Sequence, residues 1–146
     1  MSVGSGAILR AIQKRWTAMK LDSIITGGLH LGTSFKGHDV PYCVLNIAAE
    51  TISERTSSGG LVFTEYSRMM LDFVVHADTG YAGVERYADA IRVRFDNAPM
   101  MLQTGEGTVL RFRWVSGMPL QNHDNTSVWS YTLTYDVIRQ RQEVVN

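Results

Sequence analysis

Ile8, Ile12, Trp16 and Met19 recur at steps of four, four and three, the spacing of one helical face. Arg10, Gln13, Lys14 and Lys20 fill the remaining positions, and Ser5 stands where an N-cap belongs. The pattern predicts a helix packed on a core, and its terminal place also suits a helix that docks on a partner. From Thr26, Gly27 and Gly28 to Gly32 and Thr33 the composition turns to loop. The period drops to two from Pro41 to Ile47: Cys43, Leu45 and Ile47 share one face, Tyr42, Val44 and Asn46 the other. Pro41 opens this strand, where a missing N–H is tolerated.

Glu50 to Gly60 is polar, charged and closed by Ser-Ser-Gly-Gly, which predicts a flexible loop or extended arm. A long strand follows from Leu61 to His76, with room for a bulge. Met69, Leu71, Phe73 and Val75 line one side; Arg68, Met70, Asp72, Val74 and His76 line the other. Asp78 and Thr79 then stand at an N-cap. Tyr81, Val84, Tyr87, Ala88, Ile91 and Phe95 make the apolar face of a second helix, with Glu85, Arg86, Asp89 and Arg92 outside. Charge pairs on that outer face are assigned little stability. Asn97, Ala98 and Pro99 end it.

Leu110, Phe112 and Trp114 alternate with Arg111 and Arg113 after the turn Gly105-Glu106-Gly107, and Gly117 to Asn125 is expected as loop. Trp129, Tyr131, Leu133, Tyr135 and Val137 alternate with Ser130, Thr132, Thr134, Asp136 and Ile138, the cleanest period-two run in the chain. Gln140 to Asn146 carries no strong pattern and is expected as a loose or docking tail. The predicted order is helix, strand, arm, strand, helix, strand, strand. The expected fold class is α+β: an antiparallel or mixed sheet of four to five strands, with two main helices packed on one face.

One domain over 1–146 is expected, since a chain of 146 residues buries roughly 70% of its unfolded surface. The 45% hydrophobic content is globular, and the 19% charged content is low against an average of about 25%. Fourteen basic residues balance 14 acidic ones, so the electrostatic footprint of a nucleic-acid binder is missing. Zero net charge also leaves little repulsion against self-association. The single cysteine, Cys43, excludes an internal disulfide framework and a multi-cysteine zinc site. No apolar run nears the ~20 residues of a membrane helix, so no membrane partner is expected. The basic residues near the N-terminus follow the apolar stretch, the wrong order for a signal peptide. A protein made in a cytoplasm and kept there until it joins something larger is therefore expected.

Candidate chemistry is sparse. His30, His38, His76 and His123 lack the i, i+4 spacing of a zinc pair, and the pairs His38-Asp39 and His123-Asp124 read as surface polar residues. Neither the glycines at 27, 28 and 32 nor Gly105-Glu106-Gly107 forms a phosphate-binding turn, and Gly4-Ser5-Gly6 is no nucleophile elbow. Cys43 reads as a small core hydrophobe. Asp72 and His76, with Arg111 and Arg113, suit an acid–base pair or, more in keeping with the missing nucleophile motif, a cross-strand network or subunit contact. Arg92 and Arg94 with Arg111 and Arg113 are the one set that could face nucleic acid. No catalytic, metal or cofactor residue is expected. The candidate subunit or partner interface is Glu50, Glu54, Arg55, Arg68, Asp72, Arg111 and Arg113.

The layout also resembles a family. A helix leads to Pro41-Tyr42-Cys43-Val44-Leu45, then a polar arm, then a strand ending Val75-His76-Ala77-Asp78-Thr79. That strand runs straight into a helix with Tyr87-Ala88-Asp89-Ala90-Ile91, and a strand and the Trp129-to-Tyr135 strand close the chain. Over residues 5 to 138 this is similar to the tail completion, or tail terminator, proteins of long-tailed bacteriophages, which join tail to head. The long glycine-rich stretch from Thr26 to Gly37 departs from the pattern. The resemblance implies a non-enzymatic virion protein: a ring, typically of six copies, that caps the tail tube and faces the head connector or head-closure protein. It implies a lumen that passes DNA without sequence readout. It places the chain in the virion tail or neck, and in the host cytoplasm during assembly. Two other readings compete: another ring protein of the head–tail neck, and a small enzyme or ligand-binding module using Asp72, His76 and the arginines in a cleft.

Overall fold

The computed structural model describes residues 4–32, 40–58, 62–122 and 128–144. Helix α1 spans Gly4–Ala18 and α2 spans Gly80–Phe95. The strands are β1 (Leu29–Leu31), β2 (Tyr42–Ser58), β3 (Val62–Ala77), β4 (Thr108–Gln121) and β5 (Trp129–Val144). They form one sheet in the order β1-β2-β3-β5-β4. β1 pairs with β2 in parallel, and every other pairing is antiparallel. Two helices on a mixed, mostly antiparallel sheet make an α+β fold, as the alternation predicts.

Both helices cover the same sheet face. Ala7, Ile8, Ala11, Ile12 and Trp16 are buried on α1, and Val84, Ala88, Ile91 and Phe95 on α2. All of these but Ala7 meet Cys43, Leu45, Met69, Leu71, Phe73, Val75, Phe112, Leu133, Tyr135 and Val137 in one apolar cluster. Phe73 is the hub: its ring lies 5.1 Å from Phe95 and 5.5 Å from Tyr135. Each such side chain contributes about 1.5–3 kcal/mol through burial. The two helix C-termini are tied together. Arg15 Nε donates to the Arg94 carbonyl at 2.7 Å, and Arg94 Nε to the Met19 carbonyl at 3.3 Å. Cations placed there satisfy orphan carbonyls and oppose the helix dipoles. Trp16 donates its indole N–H to Asp22 at 2.7 Å, which secures the turn after α1.

Several expectations fail, and most of them in one direction: more of the chain is strand. Of the expected arm from Glu50 to Gly60, Glu50 to Ser58 is the far half of β2, paired with β3 from Met69 to Val62 with one register shift, and the last two residues lie outside the described ones. The expected tail from Gln140 continues β5 to Val144, paired with Tyr66 to Val62 of β3. The expected loop from Gly117 extends β4 to Gln121, and the loop after Thr26 contains β1. In each case ladder hydrogen bonds satisfy the backbone without an apolar stripe to announce it. The register shifts fall in β2 and β4 and none in β3. One lies between Val109 and Arg111 and turns Leu110 out, leaving it 51% exposed, so only Phe112 and Trp114 of the expected face point inward. Met19 and Tyr81, placed on the apolar helix faces by periodicity, are exposed. The α1 helix begins at Gly4, so Ser5 lies in its first turn, and Thr79 at the start of α2 makes no side-chain cap bond.

Candidate functional site

The uncovered sheet face gathers the polar residues that the period of two sends away from the helices. Asp136 on β5 points there, yet it is only 2% exposed. Arg68 on β3 grips it with two bonds, Nε to Oδ1 at 2.8 Å and Nη2 to Oδ2 at 3.3 Å. Arg111 on β4 adds Nη1 to Oδ2 at 3.3 Å. The carboxylate is thus shielded by two guanidinium groups whose own side chains stay about half exposed, at 55% and 45%. Forked arginine–carboxylate geometry gives direction as well as strength. The triad clamps three neighbouring strands together.

Asp72 is one step up the same face and accepts a hydrogen bond from the Thr134 hydroxyl at 2.7 Å. His76 lies a further four residues along β3, roughly 13 Å away at strand rise. It stacks on Tyr42 with ring centroids 4.8 Å apart, and His30 meets the same ring edge-on. Burial holds the His76 imidazole below its ordinary pKa, which favours the neutral form. Asp72 and His76 therefore form no acid–base pair. Cys43 is fully buried, and burial pushes its thiol far above the range of a reactive cysteine.

Of the expected interface residues, the structure brings Arg68 and Arg111 together on Asp136. It places Asp72 beside them on Thr134, and Arg113, exposed, opposite Asp136 in the β4–β5 ladder. Glu50 is exposed on β2 opposite Met69, away from this cluster. Glu54 and Arg55 pair through their backbones with Tyr66 and Glu65, and their side chains lie outside the described residues. The key residue missing from the expectation is Asp136. Its signal was there, a lone acid in an alternating strand that has an arginine-bearing strand to pair with.

The four arginines considered for nucleic acid do not form one patch. Arg92 lies over the Trp114 ring at 3.9 Å and near Asp89 at 3.8 Å, and Arg94 is spent on carbonyls of α1 and α2. Arg111 is on the opposite side of the sheet, held by Asp136. Among the described residues no group of three His, Cys, Asp or Glu converges to hold a metal ion. His38-Asp39 and His123-Asp124 lie outside the described residues. The surface hollows are open. One of about 480 Å³, between Asn97–Pro99 and Val109–Arg113, flanks the β4 edge. No helix among the described residues is long and apolar enough to cross a membrane.

Two features stand out for contact with other molecules. β4 is an edge strand of 14 residues, and it exposes Leu110, Val115, Met118 and Leu120. At the other edge stands β1, with Leu31 41% exposed. Among the described residues no further strand covers either edge, and edges of this kind accept further strands or side chains.

No protein-family model and no curated protein sequence matches this chain. Among solved structures, a chain from the virion of a native gene transfer agent (GTA) particle superposes with a TM-score of 0.70 at 13% identity. The match covers 96% of this chain and 99% of that one. A second solved protein, whose name describes no function, superposes with a TM-score of 0.56 at 16% identity, over 94% of this chain and 96% of that one. From end to end, then, this chain has the fold of a protein found in a phage-like particle.

Proposed function

We propose that this chain is a structural protein of a phage-like virion, a ring subunit that caps the tail tube and joins the tail to the head. The observation that carries this reading is the fold shared over nearly the whole length of both chains with a virion protein. The resemblance in motif order to tail completion proteins supplies the finer role. The chemistry of the uncovered face supports it: the charged groups there are engaged with one another, as in a scaffold, and do not converge on a cleft. Two sheet edges that no described strand covers, on opposite sides of one sheet, suit a head-to-tail contact, which closes into a ring when its rotation closes. In this reading the ring, of about six copies, meets the tail tube on one side and a head connector or head-closure protein on the other. DNA passes its lumen without sequence readout.

The test is the mass of the purified protein by light scattering across a wide concentration range, with negative-stain images and added tail tubes. Rings that bind tube ends and stop tube growth are expected. A protein that stays a single chain at every concentration and ignores tube ends overturns the reading. Binding to the head portal alone would move it to another ring of the neck.

A further inference from the structure

We infer that the C-terminal half of β4, Ser116 to Gln121, seats against β1 of a second copy, so that the sheet continues from subunit to subunit. This rests on the ring reading above and names its contact. Three observations converge on it.

The first is direction. β1 runs with β2; β2 opposes β3, β3 opposes β5 and β5 opposes β4. β1 and β4 therefore run opposite ways. A copy moved by simple rotation brings its β1 antiparallel to β4, the same sense in which β4 already pairs with β5.

The second is level. His30 is paired with Val44, Val44 with Val74, Val74 with Thr132 and Thr132 with Met118. By the same ladders Leu31 stands level with Gly117. The two edges can thus meet without a slide along the strands. The faces also agree, since Leu31 and Gly117 share the helix side while His30 and Met118 share the other.

The third is surface chemistry. Val115, Met118 and Leu120 are 46%, 68% and 63% exposed, and Leu31 is 41% exposed. Apolar side chains stand exposed on both edges, Met118 and Leu120 on the face away from the helices and Leu31 on the helix side, and an added strand would cover them. Pro119 has no N–H to give, and the shift at Val115 breaks the ladder, so backbone pairing is short and these side chains carry most of the contact.

The test is a cysteine pair, His30→Cys with Met118→Cys, on the full chain. Mild oxidation is expected to give a ladder of covalent multimers from the double variant. Mixing the two single variants should give heterodimers only. Met118→Glu and Leu120→Glu, at exposed positions, serve as a second measure. Each should raise the protein concentration at half-assembly about tenfold, a loss set by one uncovered apolar side chain, with the melting temperature of the single chain unchanged. Oligomers that assemble normally but form no His30–Met118 bond, and that ignore both glutamates, overturn the edge contact and leave the ring reading standing. A wild-type chain that never assembles overturns both.

Discussion

The sheet has two halves along its strands, and they are held by different physics. In the upper half, Cys43, Leu45, Phe73, Val75, Leu133 and Tyr135 lie under two helices in the apolar cluster. In the lower half, β3 before Met69 pairs with β2 beyond Glu50 on one side and with β5 beyond Val137 on the other, through the same kind of ladder. Yet no described side chain of those stretches belongs to the cluster. The upper half is stabilised by what its side chains bury. The lower half is stabilised by backbone bonds and by charges. Hydrogen bonding alone adds only about 0.5–1.5 kcal/mol net per bond, so the two halves should respond differently to substitution.

The largest effect belongs to the upper half. Phe73→Ala removes the ring that touches Phe95 and Tyr135, and it should cost about 3–5 kcal/mol in urea unfolding. A loss below 1 kcal/mol would break the contrast at its strongest point. At the join of the halves, Gly107 has φ 100°, and a Cβ there would lie 2.2 Å from the Gln140 carbonyl oxygen. Gly107→Ala should therefore cost about 2 kcal/mol, because backbone must yield as well as φ. Gly105, with φ 89° and nothing within 4 Å of a Cβ, is the control, and its alanine variant should cost less. Equal losses at the two glycines would mean that the Gln140 approach carries no weight.

The same division explains what could be read from the chain. The upper parts of β2, β3 and β5 and the buried faces of both helices were legible because burial of one face writes an apolar period into the residues. Phe73, Tyr135, Val84 and Ile91 are where periodicity puts them. The lower half wrote no such period, since polar residues suit both of its faces. Thr51, Ser53, Thr56 and Gln142 therefore read as arm and tail although they are strand. Leu110 misled for a different reason, because a bulge is a backbone event that alternation does not encode. On the uncovered face, Arg68, Asp72 and Arg111 were legible as charged outward positions. Their convergence near Asp136 was not, since it depends on the cross-strand register of β3, β4 and β5.

Asp136 sits where the two halves meet on the uncovered face, and its loss should fall between the effects above and those below. Asp136→Ala removes three charge-assisted hydrogen bonds, but the freed arginines are half exposed and can turn to water. A loss of about 1–3 kcal/mol is expected, with Arg68→Met and Arg111→Met each costing less. Measurable loss in Arg68→Met that vanishes when Asp136 is already alanine would confirm that the pair acts as a unit. His76 gives a smaller, pH-dependent signal in the upper half. Burial lowers its folded pKa below the ordinary value of about 6.5, so in mild acid the unfolded chain binds a proton that the folded chain resists. Stability should fall as pH drops below about 6.5 and level off once the folded group is also protonated. The His76→Gln variant should lack that component of the slope, and an unchanged slope would remove His76 from the account.

Arg139 makes the sharpest use of the contrast with the smallest expected change. It lies on the helix side of β5, just past Val137, and is 3% exposed. Its Nε and Nη1 have no hydrogen-bond partner among the described residues. Burial pulls its pKa down and Arg141 adds to this, while Glu65, Glu50 and Glu106 push the other way. Attraction to three carboxylates thus offsets part of the desolvation of one guanidinium. Such buried ions are often replaced by apolar groups of like volume at no cost. Arg139→Met keeps the long stem and drops the charge, so its stability should stay within about 1 kcal/mol of the parent. Arg139→Ala also loses the packing of the stem and should cost more. If methionine were as damaging as Phe73→Ala, the lower half would have a polar core as strong as the apolar one above it. If alanine and methionine were equally harmless, Arg139 would add nothing there, and the ladder alone would hold the lower half.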